Sequence, residues 1–380
     1  MAQKTTMHGG KQARGGGAQW AAFALGALAA AAVWLALHAA PAPLPGARPS
    51  APDSGGQARP QPTAAGPAAA PAPGTPAAAA DPEPSVRVYL AGEGRVETVP
   101  LETYVRGVVA AEMPAGFRPA ALEAQALAAR TYIVRRLWLG AAPTDPAAAA
   151  AGADVTDTVA DQAYDSLKEM DRLRAKEPDA WAKISGAVER TRGRVLTYGG
   201  EPIEALYFST SNGYTENSEE VFPFRLPYLR SVPSPWDAQG APRSEEKTEM
   251  PLADFLAKLG AAGAGQAAVA AGGSAPAIRV LERTAGHRVR LLAVGDKTLA
   301  GGEVRNKLGL RSADFTLSLS ADKRQVEIDT RGSGHGVGMS QWGAEGMAEA
   351  GSTAEQIVKH YYTGISIGRV SEFLPKDRKG

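Results

Sequence analysis

Among the side chains able to move a proton, Glu112 is set apart by its place in a repeat of apolar residues. Leu101, Tyr104, Val105 and Val108 fall at i, i+3, i+4 and i+7, and the next position of that stripe, i+11, is Glu112. A carboxyl group there points to the apolar side of the helix the stripe predicts. It also falls in the last helical turn, where the macrodipole disfavours negative charge. Both effects raise a carboxyl pKa, as a general acid working near neutral pH requires. The bland alternative is a frayed helix end with Glu112 in water, and spacing alone leaves both readings open.

A second apolar stripe, Leu122, Ala126, Ala129, Ile133 and Leu137, has Gln125 and Tyr132 beside it, with Arg130 and Thr131 adding hydrogen-bonding groups. Two helices joined by residues 113–118 place Gln125 and Arg130 within reach of Glu112, unless this is an ordinary packed helix with a polar shoulder. Downstream, residues 208–216 (FSTSNGYTE) are dense in small polar groups. A serine nucleophile is not expected, because no G-x-S-x-G elbow surrounds Ser209 or Ser211; Asn212-Gly213 by itself reads as a turn. Residues 332–346 alternate glycine with Ser333, His335 and Val337. The block has no Lys-Ser/Thr pair and no G-x-G-x-x-G spacing, so it is not a phosphate loop. Its glycines are expected to let backbone approach a polymer, with His335, Gln341 and Trp342 free for hydrogen bonding and sugar stacking. The alternative is a tight turn with Trp342 in the core.

The elements that must hold these groups are interleaved irregularly. Strands are expected at 86–90, 96–99, 195–198 and 203–208, and helices at 101–112, 119–139 and 165–192. A short helix at 251–259 leads to an Ala/Gly-rich stretch, 260–277. Strands follow at 278–283, 288–294, 314–319 and 324–330, and a capping box of Ser352 and Glu355 opens a last helix. Without a βαβ period, the fold class is α+β.

Lys+Arg at 41 against Asp+Glu at 40 gives no basic excess of the kind that marks a nucleic-acid binder. The absence of cysteine excludes disulfides and thiolate zinc sites. Residues 20–40 are 21 uncharged residues, enough to span a hydrocarbon core of roughly 30 Å. Lys4, Lys11 and Arg14 precede them, which keeps residues 1–19 cytoplasmic and exports the rest. A cleaved secretory signal ending near Ala40-Pro-Ala42 is the alternative. Residues 41–84 hold 13 prolines in 44 residues and read as a disordered linker, 41–85, with a reach on the order of 130 Å.

The blocks LETYVRGVVAAEMPAGF (101–117) and EAQALAARTYIVRR (123–136) resemble the signature of the stage II sporulation protein D family. The likeness continues in DTVADQAY (157–164), FSTSNGYTENSEEVF (208–222), PYLRSVPSPWD (227–237), GSGHGVGMSQWGAEGMAEAG (332–351) and VKHYYTGISI (358–367). It implies one extracytoplasmic catalytic domain, 86–368, with a polar groove, a membrane anchor before it and a tail, 369–380, after it. It implies a lytic transglycosylase that cleaves peptidoglycan glycan strands during engulfment, with Glu112, the glutamate of the AEMP block, as catalytic residue. Ser209, Ser211 and Asn212 would then line the glycan groove, with Gln125, Arg130, Tyr132, His335, Gln341 and Trp342 as further substrate contacts. Some members carry zinc on a histidine and two cysteines; this chain has Phe208 and no cysteine, so no metal and no cofactor is expected. The resemblance also implies sporulation proteins P and M as partners, and a place in the mother-cell membrane facing the forespore. A related amidase-enhancer group shares the domain, so a glycan-binding activator of an amidase is the rival reading.

Overall fold

The computed structural model describes residues 83–242, 244–263 and 278–374. The expected membrane segment 20–40, the linker up to residue 82 and residues 264–277 lie outside the described residues. Among the described residues no helix is long and apolar enough to cross a membrane.

Val86, Val88 and Leu90 alternate inward along β1 (Ser85–Leu90), which pairs antiparallel with β2 (Arg95–Pro100). Helix α1 (Leu101–Glu112) follows and stops at Met113, which is extended because Pro114 comes next. Helix α2 (Pro119–Leu139) opens with proline in its first turn. It closes on Gly140 at φ 65°, with Gly140 and Ala141 N–H groups donating to the Leu137 and Arg136 carbonyls, a Schellman ending. A short α3 (Pro146–Ala150) leads to β3 (Val155–Thr156), parallel to β1. The helix expected over 165–192 is two, α4 (Leu167–Lys176) and α5 (Pro178–Arg190), because Pro178 forces Glu177 out of helical geometry.

Strand β4 (Arg194–Tyr198) pairs with β5 (Glu201–Pro202). The strand expected over 203–208 shrinks to β6 (Tyr207–Phe208): the Glu204 N–H donates to the Tyr228 hydroxyl and the Leu206 N–H turns back to the Glu204 carbonyl, so neither joins a ladder. After α6 (Asp237–Gly240) the chain builds a unit with a core of its own. It comprises β7 (Glu245–Pro251), α7 (Leu252–Lys258), β8 (Ile278–Arg283), β9 (Val289–Val294), β10 (Lys297–Ala300), α8 (Gly301–Leu308), β11 (Asp314–Leu319) and β12 (Gln325–Arg331). Its strands order as β10-β9-β8 and β11-β12-β7 around Phe255, Leu292, Val304, Phe315 and Ile328.

The chain then returns to the first core. Strand β13 (Met339–Ser340) runs parallel to β6, and α9 (Gln341–Glu349) and α10 (Ala354–Tyr361) pack on α2. The capping box of α10 is Thr353 with Gln356, one residue beyond the expected Ser352 and Glu355. Strand β14 (Ser366–Arg369) completes the β5-β4-β14 sheet, and the packed chain runs on to a buried Leu374, past the expected start of the tail at 369. The architecture is α+β, with the first core filled by Tyr104, Leu122, Ile133 and Tyr361.

Candidate active site

Helix α1 ends with Glu112 against two other segments. The Ala163 N–H donates to Glu112 Oε1 at 3.0 Å, and Gln341 Nε2, at the start of α9, donates to Oε2 at 3.2 Å. The Tyr207 phenol, on β6, also acts on the carboxyl and favours its anion. Glu112 as a whole residue is partly exposed. Burial raises its pKa from the ordinary value to about 7, while Ala163, Gln341 and Tyr207, which favour the anion, pull the other way. Those opposing influences are uncharged groups, and no second carboxylate is among them. At neutral pH such a group gives and takes a proton with equal ease.

Behind Tyr207 the contacts continue inward. Gln162 Nε2 donates to the Tyr207 oxygen at 3.0 Å, and the Tyr104 hydroxyl donates to Gln162 Oε1 at 3.1 Å. Gln162 and Tyr104 are buried. Sequence reasoning did not single out Tyr207 or Gln162; the available signal was that both fall in or beside blocks of the family resemblance.

Other expected site residues are placed differently. Arg130 is fully enclosed and makes a two-pronged ion pair with Glu102, at 2.9 Å from Nε and 2.6 Å from Nη2, in the first turn of α1 and so at the opposite end from Glu112. With its remaining donors on Thr191 and the Val188 and Arg194 carbonyls, it has no face to offer a sugar. Gln125 is enclosed in α2, and neither of its amide atoms has a partner among the described residues. Tyr132 is partly exposed and donates to Asp161 at 3.2 Å.

Ser209 is buried beside the Thr210 hydroxyl, and its carbonyl accepts the Trp342 N–H. Ser211 is buried too: its N–H and hydroxyl lie 2.8 Å from the two oxygens of Asp237, which also accept from the Ser234 and Ser340 hydroxyls. The Asn212 amide donates to the Gly286 carbonyl and to Asp314, both at 2.9 Å, and so ties the first core to the inserted unit. These contacts hold neighbouring segments together, and Asn212 stays partly exposed.

His335 takes the Val337 N–H on Nδ1 at 3.1 Å, so Nε2 carries the ring proton and donates to the Tyr207 carbonyl at 3.1 Å. Burial, with Arg305 and Arg288 nearby, drives its pKa down to about 3 and keeps it neutral. Nε2 is thus occupied in holding β6, which carries Tyr207, and Nδ1 in holding the turn at Val337. Gln341 is buried on Glu112, while Trp342 meets Phe117 edge-on at 4.8 Å and is partly exposed.

The glycine alternation also has an internal purpose. Gly332, Gly334, Gly336 and Gly338 all have positive φ, and each lies against this chain itself. A Cβ on Gly338 would collide with the Leu206 carbonyl oxygen, at a φ of 82° that L-residues avoid. The close approaches the structure shows are to residues 206–212 and, at Gly336, to the Arg288 side chain. Gly338→Ala is expected to lower stability by at least about 2 kcal/mol in urea unfolding, from strain and overpacking together.

Residues 89–198 match the family model described as stage II sporulation protein. The chain is 44% identical over 293 residues to stage II sporulation protein D of Bacillus subtilis (strain 168), covering 77% of this chain and 81% of that relative. The same identity and coverage hold for the protein of that name from Bacillus amyloliquefaciens. A third relative, 27% identical over 308 residues, is the amidase enhancer of Bacillus subtilis (strain 168), with 69% of this chain and 40% of that protein covered. The molecule is thus a sporulation protein. It belongs to the stage II sporulation protein D family.

Proposed function

We propose that this protein is a peptidoglycan lytic transglycosylase with Glu112 as its single acid/base. The observation that carries the reading is a desolvated carboxyl, on the partly exposed residue Glu112, held near pKa 7 with no second carboxylate among the described groups acting on it. A hydrolytic glycosidase ordinarily uses two carboxyl groups, one of them to activate water or attack the sugar. A lytic transglycosylase uses one. Protonated Glu112 gives its proton to the glycosidic oxygen between N-acetylmuramic acid and N-acetylglucosamine as the C1–O bond breaks. The resulting carboxylate takes the proton of the muramyl 6-hydroxyl as O6 bonds to C1, closing a 1,6-anhydro ring and restoring the acid. No water is consumed.

Two donors, the Ala163 N–H and Gln341 Nε2, reach the carboxyl, which leaves its own proton, when present, for an acceptor outside them. Because the acid form starts each turnover, the rate is expected to be level below about pH 7 and to fall tenfold per unit above it. A flat profile between pH 6 and 9 would remove Glu112 from that role. The family resemblance supports glycan strands as substrate, peptide-stripped, with sporulation proteins P and M as partners. It also supports an extracytoplasmic domain tethered through residues 20–40.

The rival reading is a glycan-binding activator of an amidase, favoured by the relative named amidase enhancer. Incubation with peptide-free glycan strands separates the two. Anhydro-ended fragments in the mass spectrum support the enzyme; binding without fragments supports the activator.

A further inference from the structure

Two rings from different parts of the chain meet face to face at the seam between the first core and the inserted unit. Tyr214, in the polar block after β6, stacks on His287, in the turn between β8 and β9, with ring centroids 4.7 Å apart and planes 8° from parallel. Both residues are exposed, and Tyr214 keeps 39% of its surface in solvent. A stack so placed buries little apolar area and adds little to folding. It is nevertheless held firmly. The Tyr214 N–H donates to Asn212 Oδ1 at 3.3 Å, and its carbonyl accepts from Arg288 Nη1 at 3.3 Å. His287 sits at φ 68°, a left-handed conformation that glycine adopts freely and histidine does not. Its N–H on the Thr284 carbonyl and Arg283 Nη1 on its own carbonyl fix it there. Strain kept where glycine would relax it points to a use for the ring.

We infer that the Tyr214–His287 pair is a stacking subsite for a pyranose ring of the glycan strand, apart from the groups on Glu112 and completed by the inserted unit. The inference rests on the reading of glycan strands as the substrate. One face of a pyranose presents C–H groups and is apolar, and the electron-rich face of an aromatic ring receives such groups. Contacts link the pair to the acid. Tyr214 forms a β-bridge with Pro233, whose carbonyl accepts from His360 Nε2 at 2.7 Å. The His360 ring meets Trp236 edge-on at 5.3 Å, and Trp236 packs on Gly346 of α9, the helix whose first residue, Gln341, donates to Glu112. Pro233 is exposed, and His360 and Trp236 are half-exposed. A strand seated at Glu112 thus has further rings to engage, and each added contact within one polymer strengthens the hold on the whole.

The test is a calorimetric titration of the full-length protein, carrying Glu112→Gln so that nothing is cut. The probes are long peptide-free glycan strands and the shortest strand fragment that binds measurably. Adding Tyr214→Ala or His287→Gly is expected to weaken long-strand binding about tenfold and to leave short-fragment binding where it was. Tyr214→Phe, which keeps the ring, should retain the affinity. His287→Gly is the sharper variant. Glycine accepts φ 68° without strain, so urea unfolding should show no loss of stability, and a merely structural stack predicts no loss of binding. It carries the test if Tyr214→Ala does not fold. Long strands that fail to bind, an affinity unmoved by His287→Gly, or an equal loss for long and short ligands overturns the inference. The readout needs no turnover, so the two readings fail separately. Binding that depends on the pair, with no anhydro ends released by the unsubstituted protein, sinks the enzyme alone; anhydro ends with binding that ignores the pair sink the subsite alone.

Discussion

Glu112→Gln is expected to lower the release of anhydro-ended fragments by on the order of a thousandfold, the span that a positioned general acid contributes. Glutamine keeps the shape and part of the hydrogen bonding, so the loss isolates the proton. The same substitution is expected to stabilise the fold at alkaline pH. The folded carboxyl ionises near 7 and the unfolded one near 4.5, so across that window the folded state holds a proton that the unfolded state has released. Stability then falls as pH rises from about 4.5 to about 7 and levels off beyond. The amide that replaces the carboxyl has no such titration. The variant should gain about 1–2 kcal/mol over the parent at pH 8, after allowing for one donor its amide nitrogen cannot accept, and nothing comparable at pH 4. Urea unfolding at the two pH values reads this directly. A variant that is inactive yet gains no more over the parent at pH 8 than at pH 4 would contradict the burial of an ionisable acid.

Arg130→Met is expected to do the opposite and cost about 3–5 kcal/mol, because it strands the Glu102 carboxylate in the core without its counter-charge. The pair joins the start of α1 to α2, and through Thr191, Arg194 and the Gly193 N–H on Glu102 it reaches the end of α5 and the start of β4. A loss of that size is a large share of a typical folding free energy, so soluble yield should fall as well. The companion double variant Glu102→Leu/Arg130→Met removes both charges and should recover more than half of the loss. If the single and double variants unfold at the same urea concentration, the bidentate pair is not what holds the helices.

Helices α1 and α2 were legible to the residue because local rules set both their ends. Pro114, Pro119 and Gly140 act within one turn of the positions they control. Strand β7 was missed because EEKTEMP offers no apolar alternation; it is half-exposed and positioned only by its pairing with β12. The reading of 165–192 as one helix gave too little weight to Pro178. At the site, the stripe located Glu112 but not its shell. The partners lie 51 and 229 residues away, and no local periodicity carries that information. Arg130 misled for a physical reason. A buried arginine and a substrate-binding arginine look alike in sequence, and only the bidentate contact with Glu102 tells them apart. His335 and Asn212, polar residues of two conspicuous blocks, likewise have donors taken up inside the protein.

The most direct measurement digests peptide-free glycan strands in water enriched in oxygen-18 and weighs the new muramyl ends. One carboxyl passing a proton from the sugar's own hydroxyl to the leaving oxygen predicts ends without label, lighter by one water than a hydrolysed end. Ends that carry oxygen-18 in proportion to its abundance would mean that solvent attacks the anomeric carbon, and the single-acid account of Glu112 would fall.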